Sequence, residues 1–160
     1  MALNAYLRIK GEKQGELKGS VTEKGHEGWI MVTGASHSLE SPRDASSGLP
    51  TGTRVHEPFI IIKELDQSSP LLYNILVNSE NIVEWELQFN QPGSTGTEVN
   101  HYTVRLADAS IANIDFRMPD NKDPNLLQRA EYEEISFTYQ KIQWIWNDGS
   151  ITSSDDWIAD

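Results

Sequence analysis

Between residues 83 and 89 the chain reads VEWELQF, so Val83, Trp85, Leu87 and Phe89 alternate with Glu84, Glu86 and Gln88. Side chains change face at every residue of a strand but only every 3.6 residues around a helix. The stretch therefore predicts a strand with one face on a core and the other in water. Such a strand cannot bury its apolar face alone, so the rest of the chain must supply a second layer. The same period recurs at Leu3, Ala5, Leu7 and Ile9, at Tyr102, Val104 and Leu106, and at Ile135, Phe137 and Tyr139. Trp29–Val32 is an apolar run whose pattern predicts one long strand continuing through Thr33, Ala35 and His37. Phe59–Leu65 is apolar on both faces and is expected to be covered on both sides. Ile111, Ile114 and Phe116 read as an irregular extension of the Tyr102 strand. Past Tyr139 the apolar positions change phase to Ile142, Trp144 and Trp146, which predicts a β-bulge near Gln140-Lys141. Gln91–Thr97 (QPGSTGT) and Asn147-Asp148-Gly149 read as turns, the second leading into a last short strand that ends at Trp157. Residues 1–160 are expected to form one mainly β domain, a small β-barrel of two packed antiparallel sheets.

One helical signal interrupts this pattern. Ser69 is a suitable N-cap, Pro70 fits the first helical position because its missing N–H would have no partner there, and Asn78-Ser79 ends the segment. Leu71, Leu72, Ile75 and Leu76 make an apolar stripe. So short a helix is marginal in water by itself, so it is expected to be docked, as a plug over the open end of the barrel or between the sheets. Gly11–Gly28 and Asp120–Gln128 read as loops. Ser38–Thr53 is dense in Ser, Gly, Pro and Asp, without periodicity, and predicts neither helix nor strand. Loops of that length in a compact domain are uncommon and usually functional.

Composition removes several kinds of function. The chain has no Cys, which excludes disulfides, thiolate metal sites and a cysteine nucleophile. With 24 acidic against 13 basic residues the net charge is −11, a poor match to nucleic acid, whose phosphates need Lys and Arg. Nothing in the sequence suggests membrane insertion, and the first residues lack a signal-peptide pattern, so synthesis in the cytosol without a Sec signal is expected. His26, His37, His56 and His101 show no metal-ligand spacing and read as ordinary surface or loop histidines. Glu131, Glu133 and Glu134 read as a solvated strand entry. Ser68-Ser69 lacks the GxSxG setting of a nucleophile, and Gly48–Gly52 lacks the GK[ST] ending of a phosphate loop. Arg54, His56, Lys63 and Glu64 are expected to form ion pairs. No catalytic, cofactor or metal site is predicted.

The segments ALNAYLRIKG, KGSVTEKGHEGWIMV, SPRDASSGLPTGTR, TGTRVHEPFIIIKELDQSSPLLYNIL and EEISFTYQKIQWIWNDGSITSSDDWIAD cover nearly the whole chain. Together they resemble the hemolysin-coregulated proteins, Hcp, of type VI secretion. The resemblance implies a small β-barrel with one docked helix that forms homohexameric rings stacked into the inner tube. It further implies a contractile sheath around the tube, a valine-glycine repeat spike at its tip and small effector proteins in its lumen. The protein would reside in the bacterial cytoplasm before firing and be secreted afterwards. With the chain ending at Asp160, no enzymatic extension and no effector activity of its own are expected. In this family a loop at Ser38–Thr53 reaches toward the neighbouring ring, which makes Ser38, Pro42, Arg43, Asp44, Leu49, Pro50 and Thr53 candidate stacking residues. The alternative is a monomeric cytosolic β-barrel acting as a binding or adaptor module.

Overall fold

A computed structural model describes residues 2–126 and 129–158. In chain order the strands are β1 (Ala5–Gly11), β2 (Gly15–Glu16), β3 (Ile30–Val32), β4 (Gly34–Ser36), β5 (Leu39–Glu40), β6 (Val55–His56) and β7 (Phe59–Glu64). Helix α1 (Ser69–Val77) follows, then β8 (Ile82–Pro92), β9 (Glu98–Ala107), β10 (Ser110–Arg117), β11 (Tyr132–Thr138), β12 (Lys141–Trp146) and β13 (Ile151–Asp156). One antiparallel sheet runs β13-β12-β9-β8-β1-β2, with β3 also on β1; the second runs β10-β11-β7-β4. Strands β5 and β6 form a separate ribbon. The two sheets are distinct ladders packed face to face, a barrel-like sandwich.

The apolar face of the 83–89 alternation forms as expected in its middle, but Glu86 on the face expected in water is buried beside Arg105. Trp85 and Leu87 enter the core, where the indole meets Phe59 and Phe137 edge-on at 5.1 and 5.4 Å. Leu7, Ile9, Val104, Leu106 and Ile142 join them from the large sheet, and Ile61, Ile111 and Ile135 from the small one. At the start of β8 the pattern slips. The register shifts opposite Lys10 and Gly11, so Val83 is the extra residue, turned to solvent, and Ile82 takes the core position. An inserted residue reverses the faces behind it. The Gly11–Gly28 loop also does more than connect, since β2 pairs with β1 and Leu17 and Val21 are buried.

Three predicted strand continuities are instead transfers between sheets. The long strand from Trp29 breaks at Thr33, where β3 stays on β1 and β4 joins β7. The Thr33 N–H donates to the Ile62 carbonyl at 2.8 Å across the join. The irregular extension of β9 is a separate strand, β10, entered through Asp108 in a left-handed conformation (φ 49°). The phase change after Tyr139 is the passage from β11 in the small sheet to β12 in the large one, not a bulge. In each case period-two patterning survives because both sheets face the same core. Strand β7 is also less covered than expected: Phe59 and Ile61 are buried, but Ile60 and Ile62 on the other face are only half-buried.

The helix begins one residue earlier than predicted. Ser68 is the N-cap, without a side-chain cap hydrogen bond, and Ser69 is the first helical residue. Leu72 and Ile75 are fully buried, Leu76 packs partly on the core, and Leu71 lies on the exposed side. Behind the helix, the buried Glu80 carboxylate accepts from the Lys13 and Gln14 N–H groups at 3.0 and 2.9 Å. A Cβ on Gly11 would stand 2.3 Å from that carboxylate, so any larger residue there would displace Glu80 from its contacts.

Candidate self-assembly surface

The Ser38–Thr53 segment is a projecting hairpin rather than an irregular loop. Leu39 pairs with His56 and Glu40 with Val55, and further out Arg43 and Pro50 form an isolated bridge. The Thr51 N–H donates to the Pro42 carbonyl at 3.0 Å, tying the legs together. The tip is built by Asp44, whose carboxylate accepts from the Ser46 and Ser47 N–H groups at 2.7 and 2.9 Å. Those N–H groups, Ser47 first, hold its carboxyl below the usual range. Gly48 turns the tip with φ 72°, a conformation that favours glycine. Of the predicted stacking residues, Ser38, Arg43, Asp44, Leu49, Pro50 and Thr53 are exposed and Pro42 is half-buried. Leu49 is 64% exposed, an apolar side chain held in solvent at the tip.

At the root of this arm the structure gathers residues the sequence keeps far apart. His37 precedes the arm and His56 ends it, and both rings reach the Tyr139 hydroxyl, His37 Nε2 at 2.9 Å and His56 Nδ1 at 2.7 Å. His56 Nε2 lies 2.8 Å from Asp155 Oδ2. Arg54 binds the same carboxylate with two nitrogens, Nη2 donating to Oδ1 at 2.8 Å. Trp157 stacks on His56 and meets Tyr139 edge-on. The hydrogen bond from Arg54 is the first cause that draws the Asp155 carboxyl down to about 2. Burial pushes the Tyr139 phenol up. Burial, then the facing charge of His56, lowers His37, while the Glu57 backbone carbonyl works in the opposite direction. His56 is therefore a buried anchor, not a surface histidine. The expected ion pair of Arg54 is present, its acid is Asp155, and His56 is hydrogen-bonded to the same carboxylate. The one available signal was position: histidines stand on both flanks of the loop.

A second cluster pins the helix. Lys63 Nζ, wholly buried, donates to Glu133 Oε1 at 2.8 Å, Ser69 Oγ at 3.0 Å and the Glu64 carbonyl at 2.9 Å. It also lies 3.2 Å from Asp66. Ser69 Oγ donates to Glu133 at 2.6 Å and accepts from the Asp66 N–H, which replaces the capping role expected of it. Glu133 is thus buried, whereas the sequence pattern put it at a solvated strand entry. Glu64 takes part only through its carbonyl. His26 lies on Tyr6 and His101 against Trp146. Among the described residues no three His, Asp or Glu side chains gather at metal-binding distance.

The surface offers open edges as well as the arm. Among the described residues strand β13 has no neighbour on its outer side, and Ile151–Ser154 are exposed along it. Strands β10 and β4 end the small sheet. A groove of about 500 Å³ is lined by Leu3, Phe89, Asn90, Pro92, Tyr102 and Trp146. The buried side-chain amide of Asn90 has no hydrogen-bond partner there. Unpaired strand edges and apolar recesses are surfaces that a second polypeptide covers.

The family described as "Type VI secretion system effector, Hcp" matches residues 6–146. The chain belongs to the Hcp family. It is 38% identical to the "Major exported protein" of Pseudomonas aeruginosa, across 98% of this chain and 96% of that protein. An Hcp protein known from its crystal structure superposes with a TM-score of 0.91 at 32% identity, covering 98% of this chain and 99% of the other. The secreted Hcp3 of Pseudomonas aeruginosa superposes with a TM-score of 0.77 at 31% identity, over 96% of this chain and 99% of its own. This Hcp chain thus shares the family's sheets, helix and full length of fold.

Proposed function

We propose that this Hcp protein is a structural, non-enzymatic subunit of the type VI secretion inner tube. Six copies close into a ring, rings stack into a tube, and small effector proteins travel in the lumen. The valine-glycine repeat spike caps the tube and the contractile sheath drives it. The protein is made in the bacterial cytoplasm and leaves with the tube rather than through a Sec signal. The observation that carries this reading is the match to a solved Hcp structure over nearly the whole of both chains. The open edges of β13, β10 and β4 support it, because a cyclic ring joins one face of a subunit to a different face of the next. The arm supports stacking: it projects, its tip is internally hydrogen-bonded, and Leu49 waits uncovered. Each copy carries −11, so stacking brings like charges together and salt should strengthen it by screening.

Light scattering in moderate salt tests the ring and should return about six times the 18.0 kDa chain mass. A monomer throughout the micromolar range overturns it. Replacing Arg43–Leu49 by a short Gly-Ser link tests the arm. Rings should persist while tube formation and secretion fall sharply. If the shortened protein still stacks and is exported like the parent, the arm is only a connector.

A further inference from the structure

We propose that His37, Tyr139, His56 and Asp155 form a proton-operated clasp that fixes the root of the arm and releases it when both imidazoles are protonated. The bond count at Tyr139 carries the inference. A phenol hydroxyl has one proton to donate and otherwise accepts. With both rings neutral every contact is made. His37 Nε2–H donates to Tyr139, Tyr139 donates to His56 Nδ1, and His56 Nε2–H donates to Asp155, over distances of 2.9, 2.7 and 2.8 Å.

One added proton is tolerated. Placed on His37 Nδ1 it disturbs no link, because that ring meets the hydroxyl through Nε2. Placed on His56 Nδ1 it reverses one link, and neutral His37 answers by changing tautomer and accepting the phenol proton. A second proton has no such outlet. Both rings then point N–H groups at one oxygen, and the phenol proton is left without an acceptor in a buried site. Arg54 and His56 already share the Asp155 carboxylate, and a protonated His37 adds a third cation on the other side of Tyr139. Asp156 offers Arg54 its backbone carbonyl, at 3.5 Å, and the charge of its carboxylate, and Phe59, Trp144 and Trp157 line the remaining sides with rings. A buried hydroxyl without a partner and unbalanced cations are both destabilising, so the roots at His37 and His56 separate.

The direction in pH follows from His37. Its folded value is lowered, so its contribution is complete above the ordinary imidazole range of ~6.5 and is lost as pH falls through the lowered value. The clasp concerns the order of the arm alone. Its effect on tubes rests on the stacking role proposed above, and the two are read separately.

Hydrogen exchange of the 39–56 amides, normalised to an unstructured peptide at each pH, tests the clasp in the intact protein. Between pH 7 and pH 5 the normalised exchange of the arm should rise severalfold. The amides of β8 and β9 should stay protected. His37→Gln keeps a donor for Tyr139 but cannot become a cation, so it should abolish the rise; Tyr139→Phe should leave the arm fast-exchanging at both pH values. An arm equally protected at both pH values in the parent overturns the clasp, as does an undiminished rise in His37→Gln. If the arm loosens at pH 5 while tubes persist, the clasp stands and the stacking role of the arm falls.

Discussion

Helix α1 sinks Leu72 and Ile75 into the core, whereas the β5–β6 arm leaves Leu39, Leu49 and Val55 in solvent and is held at its root by polar contacts. Each appendage has its own charged anchor. Lys63 and Glu133 beneath the helix are wholly buried, while Arg54 and Asp155 at the arm remain partly open to water. Burial makes the first pair permanent, because separating two charges in a low-dielectric interior leaves each one unsolvated. Partial exposure keeps the second pair weak and responsive to protons. The segment seated on the core and the segment left in solvent are thus fastened by different chemistry.

The largest break in this comparison should come at Lys63. Lys63→Met strands the Glu133 carboxylate and should lower stability by about 3–5 kcal/mol, read as a shift of the urea midpoint. Adding Glu133→Leu should recover most of that loss. No recovery would mean that the site is held by something other than charge pairing. Leu72→Ala comes next, at roughly 2–5 kcal/mol, with Leu76→Ala smaller and Leu71→Ala within about 0.5 kcal/mol. Equal effects at Leu71 and Leu72 would show that the helix is not seated on the face described.

At the arm the effects should shrink. The Asp155 carboxyl is drawn down to about 2, so it contributes stability above the ordinary carboxylate range that disappears as pH falls through that value. Asp155→Asn should flatten the acid limb of the stability profile and cost under about 1 kcal/mol at neutral pH. A steeper acid limb in the variant would reverse the sign argued here. Smallest of all, shortening Arg43–Leu49 should leave the melting of the ring within about 0.5 kcal/mol of the parent, since loop length contributes little closure entropy. A large loss would place the arm inside the ring contact instead of beyond it.

Much of the scaffold was legible in the sequence because period-two alternation reports which side chains face a core. Trp85, Leu87, Val104 and Leu106 were read from that pattern alone, and Ser-Ser-Pro marked the helix to within one residue. Alternation does not report which ladder a strand joins. The breaks at Thr33, at Asp108 and after Tyr139 were therefore read as continuity, extension and a bulge. The anchors were hidden for a different reason. Lys63 and Glu133 are charged residues on strands, and only their register opposite one another, with Ser69 above, makes their burial tolerable. His56 and Asp155 lie far apart in the chain, and no local spacing announces their meeting.

The three passages between sheets also govern how the chain comes off the ribosome. Strand β7 cannot pair on its inner side until β11 has been made, and β9 has no second neighbour until β12 follows it. Both sheets therefore stay incomplete until the last quarter of the polypeptide emerges, and pairings between distant residues form slowly. Nascent chains of this topology carry bare strands for most of their synthesis, the period in which they are most prone to pair with one another. The rate-limiting step in producing such a subunit should be closure by its final hairpin, and a chain truncated before Lys141 should be directed to aggregation or proteolysis instead of to a ring.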